Sequence, residues 1–455
     1  MNADPRDTLA RSPMTAQQVL VVAITVALNA LDGFDVLSIS FASPGIAAEW
    51  GIDRGALGIV LSMELVGMAV GSAVLGGVAD RIGRRPAILG CLAVMATGMV
   101  MATTASGLAA LSTWRIVTGL GIGGMLAAIN AVSMEFSNTR RRHLSVSLMS
   151  IGYPLGAVFG GMVAARLLRG NDWRTIFYFG AGVTAFLIPV VFLFVPESVH
   201  WLVRKQPGNA LARVNRALAR IGYASVDRLP EIPAEARNRS FTDIFAAQHV
   251  AGTFIVTAAY FLHITTFYFI VKWVPKIVVD LGFAASAAAG VLVWTNVGGA
   301  IGGAVLGLLT QKVGVKTLTV GVLLASTVAV TAFGRTPADL QRLSIICGVC
   351  GFCINAGIVG LYAIIAQVFP THIRASGTGF TIGVGRGGSV FAPIIAGFLF
   401  VAGYSLPTVA FVLGLGSLLA GTVLMFLKLE TDRPAVERPD ARITATHIPA
   451  TSHAR

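Results

Sequence analysis

Leu31-Asp32-Gly33-Phe34-Asp35 places two carboxyl groups in the middle of an apolar run that begins near Leu20 and ends at Pro44. An acidic side chain at the centre of a lipid bilayer costs on the order of 3 kcal/mol on insertion scales. The two aspartates are spaced i, i+3, so they share one helix face, and we expect that face to turn away from lipid. The glycine between them removes a side chain and lets a neighbouring helix or a ligand approach closely. The stretch therefore indicates a membrane-spanning helix whose two carboxyl groups have a functional role.

The composition of the whole chain is that of a polytopic membrane protein. Its 455 residues are 55% hydrophobic and only 12% charged, about half the charged fraction of an ordinary soluble domain. The 52 glycines are expected where helices pack closely in lipid. Much of the net charge of +13 lies in loops beside apolar runs, which indicates membrane orientation and not a nucleic-acid partner. We expect the lipid bilayer to be the environment of this chain.

Apolar runs long enough to span a membrane recur along the chain in two groups of six. They lie at 19–43, 56–79, 86–106, 108–135, 144–168, 173–195, 248–273, 286–310, 317–334, 341–369, 375–401 and 406–428. The predicted organisation is a cytoplasmic N-terminal tail at 1–18, an N-terminal six-helix bundle at 19–195, a cytoplasmic central loop at 196–246, a C-terminal six-helix bundle at 247–429 and a cytoplasmic C-terminal tail at 430–455. Residues 1–17 and the charged tail from Glu430 are expected to be disordered.

The two groups of six share a loop pattern, which indicates an internal duplication. The loop after the second run reads Gly76-Gly77-Val78-Ala79-Asp80-Arg81-Ile82-Gly83-Arg84-Arg85, and the loop after the eighth reads Gly307-Leu308-Leu309-Thr310-Gln311-Lys312-Val313-Gly314-Val315-Lys316. Glycine, polar residue, cation, glycine and cation recur at the same offsets, with Gln311 in place of Asp80. We therefore predict an all-α protein of twelve transmembrane helices in two pseudo-symmetric bundles, with a substrate site between them near the bilayer midplane.

Lysine and arginine are concentrated in one set of loops, which predicts the orientation of the chain. These residues are Arg81, Arg84, Arg85, Arg140, Arg141, Arg142, Arg204, Lys205, Arg213, Arg216, Arg220, Lys312, Lys316 and Arg374. Both termini and the central loop are therefore predicted to face the cytoplasm of a bacterial inner membrane. Within the central loop, residues 209–221 have helical spacing of apolar side chains and predict a short helix, either on the membrane surface or on the underside of the bundles.

Four motifs fall in order on the predicted spans and resemble the major facilitator superfamily. They are the loop Gly76-x3-Asp80-Arg81-x-Gly83-Arg84-Arg85, Arg115-x3-Gly119-x-Gly121-x-Gly123 in span four, Gly152-Tyr153-Pro154-Leu155-Gly156 with Gly160-Gly161 in span five, and Pro196-Glu197-Ser198 after span six. The resemblance implies a secondary transporter that works by alternating access. It also implies that the membrane-buried Arg115 takes part in proton coupling.

Three further stretches are similar to the aromatic acid:proton symporter family within that superfamily. They are Asp32-Gly33-Phe34-Asp35, Gly119–Glu135 with the basic triplet after it, and Gly383-x-Gly385-Arg386-Gly387-Gly388 leading to Pro393. This resemblance implies import of a small organic anion, an aromatic carboxylate such as a benzoate or hydroxybenzoate, together with protons. The alternative is a proton antiporter that exports an organic acid or a drug, because the span-five motif often accompanies exporters.

An enzyme is not expected, because no nucleophile–base pair or metal-ligand spacing occurs in any loop. Cys347, Cys350 and Cys353 recur every third residue, but nothing nearby supplies a fourth metal ligand, and small apolar helix residues are the simpler interpretation. We expect no cofactor, no metal and a monomer.

The candidates for proton coupling are Asp32, Asp35, Glu64 and Arg115. A carboxyl group in a low dielectric resists ionisation, so it can bind a proton near neutral pH and release it to water or to a cation. Glu64 in span two adds a further acid near the substrate path. The alternative for the two aspartates is a structural pairing with Arg115.

The candidates for substrate binding combine cations with aromatic and amide groups. They are Arg386, Arg115, His263, Tyr268, Trp294, Asn296, Asn355 and Tyr362. A buried guanidinium is a bidentate carboxylate ligand that keeps its proton, and aromatic rings suit a benzoate-like substrate. Packing or lipid contact is the alternative for the aromatic residues, and a fully hydrogen-bonded histidine is the alternative for His263.

The candidates for gating lie in the second loop and at the end of span four. They are Gly76, Asp80, Arg81, Gly83, Arg84, Arg85 and Glu135. We expect them to hold the cytoplasmic ends of the two halves together in one state, through contacts worth at most a few kcal/mol so that they can break. The alternative is a basic cluster that only sets membrane orientation.

Overall fold

A computed structural model describes residues 4–230, 244–246, 248–310, 312–370 and 373–427. The described residues form fifteen α-helices: α1 (Pro5–Arg11), α2 (Ala16–Trp50), α3 (Arg54–Ile82), α4 (Arg84–Thr103), α5 (Leu108–Glu135), α6 (Arg142–Leu167), α7 (Arg174–Phe194), α8 (Val199–Lys205), α9 (Ala210–Arg220), α10 (Val250–Asp280), α11 (Ala285–Leu309), α12 (Val315–Gly334), α13 (Leu340–Val368), α14 (Arg374–Val401) and α15 (Leu406–Met425). Twelve of them, α2 to α7 and α10 to α15, are long and apolar enough to cross a membrane. The predicted fold class is confirmed.

The two halves pack their helices in the same way. In the first half α2 packs on α6, α3 on α5 and α4 on α7, and the equivalent pairs in the second half are α10 on α14, α11 on α13 and α12 on α15. The halves meet through α3 against α14 and through α6 against α11, which are again equivalent pairs. This correspondence gives two pseudo-symmetric six-helix bundles. Gln311 of the repeated loop lies outside the described residues.

Helix α10 extends about two turns beyond the apolar run predicted for it. The run is predicted to end at residue 273, but the helix continues through Pro275 to Asp280. Asp280 forms an ion pair of 2.8 Å with Arg54 of α3, a tertiary contact that a hydropathy pattern does not contain. Lys272 therefore lies inside a membrane-spanning helix and not at its end.

Helix α2 also exceeds its predicted length. It continues through Pro44 to Trp50. Its last turn is fixed by Glu49, whose Oε1 lies 2.7 Å from Arg174 Nη2 and whose Oε2 accepts a hydrogen bond of 2.6 Å from Trp173 Nε1. Polar contacts with α7 thus lengthen a helix that its apolar sequence alone would end sooner.

The N-terminal segment contains a helix where disorder is predicted. Asp4 caps α1 by accepting a hydrogen bond from the Arg6 backbone N–H at 2.9 Å. Leu9 is buried, and the Thr139 backbone N–H donates to the Ala10 carbonyl at 2.9 Å. A seven-residue helix is not stable alone in water, so these contacts with the loop after α5 are what order the segment.

The central polar stretch carries two short helices before residue 231. The helix predicted at 209–221 is confirmed as α9, and its Val214 and Leu218 are buried against the first half. Helix α8 is not predicted; Ser198 caps it by accepting from the Trp201 backbone N–H at 3.1 Å. Residues 231–243 and the tail from Glu430 lie outside the described residues.

Gly33 sets the close approach of α2 to α6. A Cβ atom at this position would overlap the backbone carbonyl of Tyr153. Of the two alternatives given by the sequence, a neighbouring helix or a ligand, the structure places a helix there. The stretch with the two aspartates therefore packs directly on the Gly-Pro motif of α6.

Substitution of Gly33 by alanine should lower the melting temperature of the detergent-purified protein. The added methyl group has no room beside the Tyr153 backbone, and overpacking costs about 1–3 kcal/mol. Gly90→Ala in α4 is the matched control, because a Cβ atom there meets nothing within 4 Å and alanine favours a helix. Equal melting temperatures in the two variants would contradict this account of the packing.

Candidate functional site

Five charged side chains are buried together where the two halves meet, and we name them the central charge cluster. They are Asp32 and Asp35 of α2, Glu64 of α3, Arg115 of α5 and Lys272 of α10. The cluster holds three carboxyl groups and two cations. Burial of so many ionisable groups in the membrane-spanning region is costly and is typical of a substrate or proton pathway.

Glu64 is the centre of this cluster because both cations bind it. Its Oε1 forms an ion pair with Arg115 Nη2, and its Oε2 lies 3.4 Å from Lys272 Nζ. Lys272 also donates a hydrogen bond to the Val36 carbonyl. Arg115 donates to the Asp35 backbone carbonyl at 3.1 Å. The carboxylate partner of Arg115 is therefore Glu64, and the aspartate side chains are not paired with it.

A glycine brings Glu64 and Arg115 together. A Cβ atom at Gly119 would overlap the backbone carbonyl of Glu64, so α3 and α5 approach more closely than any side chain at Gly119 would allow. Arg115 lies one turn before Gly119 on α5, which puts its guanidinium against α3. Gly119 of the glycine-rich motif in span four thus allows the ion pair between Arg115 and Glu64 to form.

The carboxyl groups of Asp32 and Asp35 have no hydrogen-bond partner within the described part of the chain. All four of their oxygen atoms are buried and unpaired among the residues that the structure describes. A buried ionised carboxylate without a partner is far more costly than a buried neutral acid. The geometry of this conformation therefore favours a proton on these groups.

Arg386 of α14 reaches across from the second half to α3, at positions that follow Glu64 along that helix. Its Nη1 donates to the Met68 carbonyl at 3.3 Å and to Ser72 Oγ at 3.2 Å, both on α3. The half-buried guanidinium is within electrostatic range of Asp32. Arg386 is therefore a third cation beside the three carboxyl groups.

Four tyrosines lie near these charges. The hydroxyl oxygens of Tyr260 and Tyr362 are 3.1 Å apart, and their rings stack with centroids 5.7 Å apart. Tyr268 packs against apolar clusters of both halves, and Tyr153 of α6 is within electrostatic range of Asp32 and Glu64. The structure thus brings the predicted Tyr268 and Tyr362 together with two tyrosines that were not predicted as site residues.

His263 has both ring nitrogens occupied inside the second half. Nε2 lies 2.8 Å from the Ile354 carbonyl and Nδ1 lies 2.9 Å from Ser417 Oγ. Since a carbonyl can only accept, Nε2 carries the proton and Nδ1 accepts from the serine hydroxyl. This placement favours the alternative of a fully hydrogen-bonded histidine over substrate binding.

The remaining predicted substrate residues make local contacts in this conformation. Asn296 donates to the Leu292 carbonyl at 2.8 Å and Asn355 to the Gly351 carbonyl at 3.1 Å, each within its own helix. Trp294 is 56% exposed. Among the described residues, the hydrogen bonds of Asn296 and Asn355 do not reach the central charge cluster, and the substrate-binding role of these three residues stays a prediction.

Contacts between the halves run from one end of the bundle to its middle. The end is marked by the Arg54–Asp280 ion pair between α3 and α10. Further along α3, Ser62 Oγ donates to the Val390 carbonyl of α14 at 2.7 Å, and the next contact is that of Glu64 with Lys272. The bundle is therefore closed at the end that carries Arg54 and Asp280.

The predicted gating residues lie at the opposite end of α3. Arg84 forms ion pairs with Asp80 at 2.7 Å and with Glu135 at 3.2 Å, and Arg204 reaches Asp80 at 3.2 Å. These contacts join α3, α4, α5 and α8, all on the side of the first half. The prediction that this cluster holds the two halves together thus concerns another conformational state and stays a prediction.

The rest of the gating group surrounds the turn between α3 and α4. Gly83 has a φ of 109°, a backbone conformation that favours glycine. Glu197 accepts hydrogen bonds from the Arg84 backbone N–H at 2.8 Å and the Ser198 N–H at 2.9 Å. Burial raises the pKa of Glu197, although these N–H groups favour its ionised form. Arg81 is exposed, and Gly76 lies within α3.

Lys272 is the main site residue that sequence reasoning missed. The signal was present, because a lysine followed by further apolar residues is unusual in a spanning helix. It was missed because the span was predicted to end at residue 273. In the sequence, Tyr153 stands out only as part of the span-five motif, and Tyr260 resembles any packing aromatic in an apolar run.

Comparison with known proteins places the chain among transporters. The family model described as Major Facilitator Superfamily matches residues 25–346 and 256–452. The chain is 26% identical over 430 residues to a gallate transporter of Pseudomonas putida, covering 93% of this chain and 94% of that protein. It is 28% identical over 423 residues to the 4-hydroxybenzoate transporter PcaK of Pseudomonas aeruginosa, covering 91% and 93% respectively. These matches confirm the resemblance drawn from the motifs.

Solved structures share the fold. A D-xylose-proton symporter superposes with a TM-score of 0.69 at 18% identity, covering 91% of this chain and 98% of that chain. The xylose transporter XylE from E. coli in an inward open conformation gives a TM-score of 0.70 at 15% identity, covering 91% and 98%. At such identities the likeness concerns the fold alone.

Removal of the central carboxylate should destabilise the protein more than removal of an exposed one. Glu64→Gln leaves Arg115 and Lys272 without their shared partner, and breaking a buried ion pair costs about 3–5 kcal/mol. Asp172→Asn is the control, because its exposed pair with Arg174 is worth about 0–1 kcal/mol. Melting temperatures in detergent measure both effects. An equal loss in the two variants would show that Glu64 does not hold the cluster together.

Proposed function

We propose that this chain, which belongs to the Major Facilitator Superfamily of transporters, imports an aromatic carboxylate together with protons by alternating access. The names of the curated relatives, a gallate and a 4-hydroxybenzoate transporter, support the substrate class. The central charge cluster supports the coupling to protons. We further propose that the chain works as a monomer, because the cluster lies between two halves of one chain.

The charge balance of the site is the observation that carries this proposal. The cluster has three carboxyl groups and two cations, and Arg386 adds a third cation. In an opened site that admits water and in which every group is ionised, these six charges cancel. An entering carboxylate then leaves one uncompensated negative charge in a low dielectric, which is unfavourable. Protonation of one carboxyl group restores neutrality, so anion and proton favour each other's binding.

The unpaired aspartates are the proposed proton carriers. Asp32 and Asp35 lack hydrogen-bond partners among the described residues, so a proton costs them no existing contact. Glu64 already contacts two cations, Arg115 and Lys272. We therefore assign proton binding to the aspartates and the retention of the cations to Glu64.

The tyrosines and Arg386 are the proposed surroundings of the substrate. Arg386 can bind a carboxylate through two parallel N–H groups. Tyr153, Tyr268, Tyr260 and Tyr362 offer ring faces and hydroxyls that suit a hydroxylated benzoate ring.

The orientation follows from the basic loops. We propose that the end with Asp80 and Arg84 faces the cytoplasm of a bacterial inner membrane, together with both termini. The end closed by Arg54 and Asp280 then faces the periplasm. In the proposed cycle, that end opens, a proton and the anion bind, and the neutral site allows the halves to close again. The proton and the anion are then released to the cytoplasm.

The exporter alternative depends on the Gly-Pro motif of span five, and the glycines of that motif have a packing role here. Cβ atoms at Gly152 and Gly156 would overlap the carbonyls of Val26 and Ala30 on α2. The motif is therefore explained by helix packing in either direction of transport.

Uptake into proteoliposomes tests the proposal. An inward proton gradient should drive accumulation of radiolabelled 4-hydroxybenzoate or gallate but not of succinate, and a protonophore should abolish it. Asp32→Asn should reduce accumulation at least tenfold, because it removes a proton carrier. Asp53→Asn, an exposed cap of α3, is the matched control and should behave as the wild type. Uptake indifferent to the gradient, or active efflux, would contradict the proposal.

Exchange without a gradient separates a coupling role from a structural one. Counterflow of labelled against unlabelled substrate does not require the carrier to lose its proton. Asp32→Asn and Asp35→Asn should therefore retain at least half of the wild-type counterflow while they lose gradient-driven accumulation. Loss of both activities in a folded variant would favour a structural role for the aspartates.

A further inference from the structure

Lys272 differs from Arg115 in the location of its partners. Lys272 Nζ contacts Glu64 of α3 and the Val36 carbonyl of α2, and both contacts cross from the second half to the first. Arg115 and Glu64 both belong to the first half. Arg115 is therefore bound within its own half, and Lys272 is bound across the interface between the halves.

Opening of the closed end separates these two cations. If the halves move as rigid bodies, Arg115 keeps Glu64, whereas Lys272 loses Glu64 and Val36 together. An ammonium group in the middle of a spanning helix is costly without an anionic partner. In the opened state, binding of an anion to Lys272, in the space that Glu64 has left, is therefore favourable.

We propose that Lys272 binds the carboxylate of the substrate in the opened state and exchanges it for Glu64 when the bundle closes. This inference rests on the proposed function in one respect, that the substrate is an organic anion. It assigns a substrate contact to a residue outside the motifs that characterise the sequence. A lysine suits such an exchange, because its ammonium is a compact charge on a flexible stem that can change partners.

The neighbouring turn of α10 defines the ligand further. Tyr268 precedes Lys272 by four positions, so both side chains lie on the same face of the helix. One helical turn rises about 5.4 Å, which is close to the distance from a benzoate carboxylate to the far side of its ring. Tyr268 also packs against apolar clusters of both halves, so it lies at the interface. Lys272 and Tyr268 together therefore suit an aromatic monocarboxylate, with the carboxylate of the ligand at Lys272 and its ring at Tyr268.

Ligand binding to the purified full-length protein tests this assignment. The probes are 4-hydroxybenzoate and its uncharged analogue 4-hydroxybenzamide, and the readout is the Kd of each. Lys272→Met should weaken binding of the acid at least tenfold and leave binding of the amide within twofold. Lys272→Arg should retain most of the preference for the acid. Lys276→Met, one turn further along α10 and paired with Asp280, is the matched control and should keep the wild-type preference.

The outcomes separate this inference from the proposed function. Wild-type protein that binds no aromatic carboxylate overturns the proposed function. Wild-type protein that prefers the acid, with an unchanged preference in Lys272→Met, overturns the assignment of Lys272 alone. Lys272→Gln removes the charge but keeps a hydrogen-bond donor, on a shorter side chain. It replaces the methionine variant if that variant does not fold, and an unchanged preference in Lys272→Gln overturns the assignment in the same way.

Discussion

Glu64 is buried in the membrane-spanning core with a cation from each half against its carboxylate. In water such contacts would be weak, but in this setting each charge depends on its partner, because no solvent replaces it. The carboxylate holds Arg115 beside its own helix bundle and holds Lys272 across the interface. The same group thus stabilises the first half internally and joins it to the second.

The packing of the helices serves this arrangement. Gly119 brings α5 against α3, and Gly33 brings α2 against α6, so that charged residues of three helices converge. The interface between the halves then adds the fourth helix with Lys272. Two aspartates without hydrogen-bond partners among the described residues complete the site. Because they can take up a proton, they can offset the negative charge of an entering anion.

The fold was predictable because its signals are local. Hydropathy, the repeated loop and the distribution of arginines each depend on short windows of sequence, and they predict twelve spans in two halves. The ends of α2 and α10 and the ordered helix α1 depend on distant contacts, such as Asp280 with Arg54, and these are not visible in a window. The site was predictable as a set of residue types but not as a set of pairs. The sequence suggested the two aspartates as possible partners of Arg115, whereas the structure pairs Arg115 with Glu64. Lys272 was missed because the end of its span was misplaced, and His263 was included because a sequence does not show whether a polar side chain already has partners.

Joint movement of an anion and protons through the central charge cluster is the central proposal. The most direct test measures the pH outside lightly buffered proteoliposomes after addition of 4-hydroxybenzoate without an imposed gradient. The external solution should become more alkaline as substrate enters, with at least one proton removed per anion taken up. Substrate entry without a change in external pH, or with acidification, would contradict it.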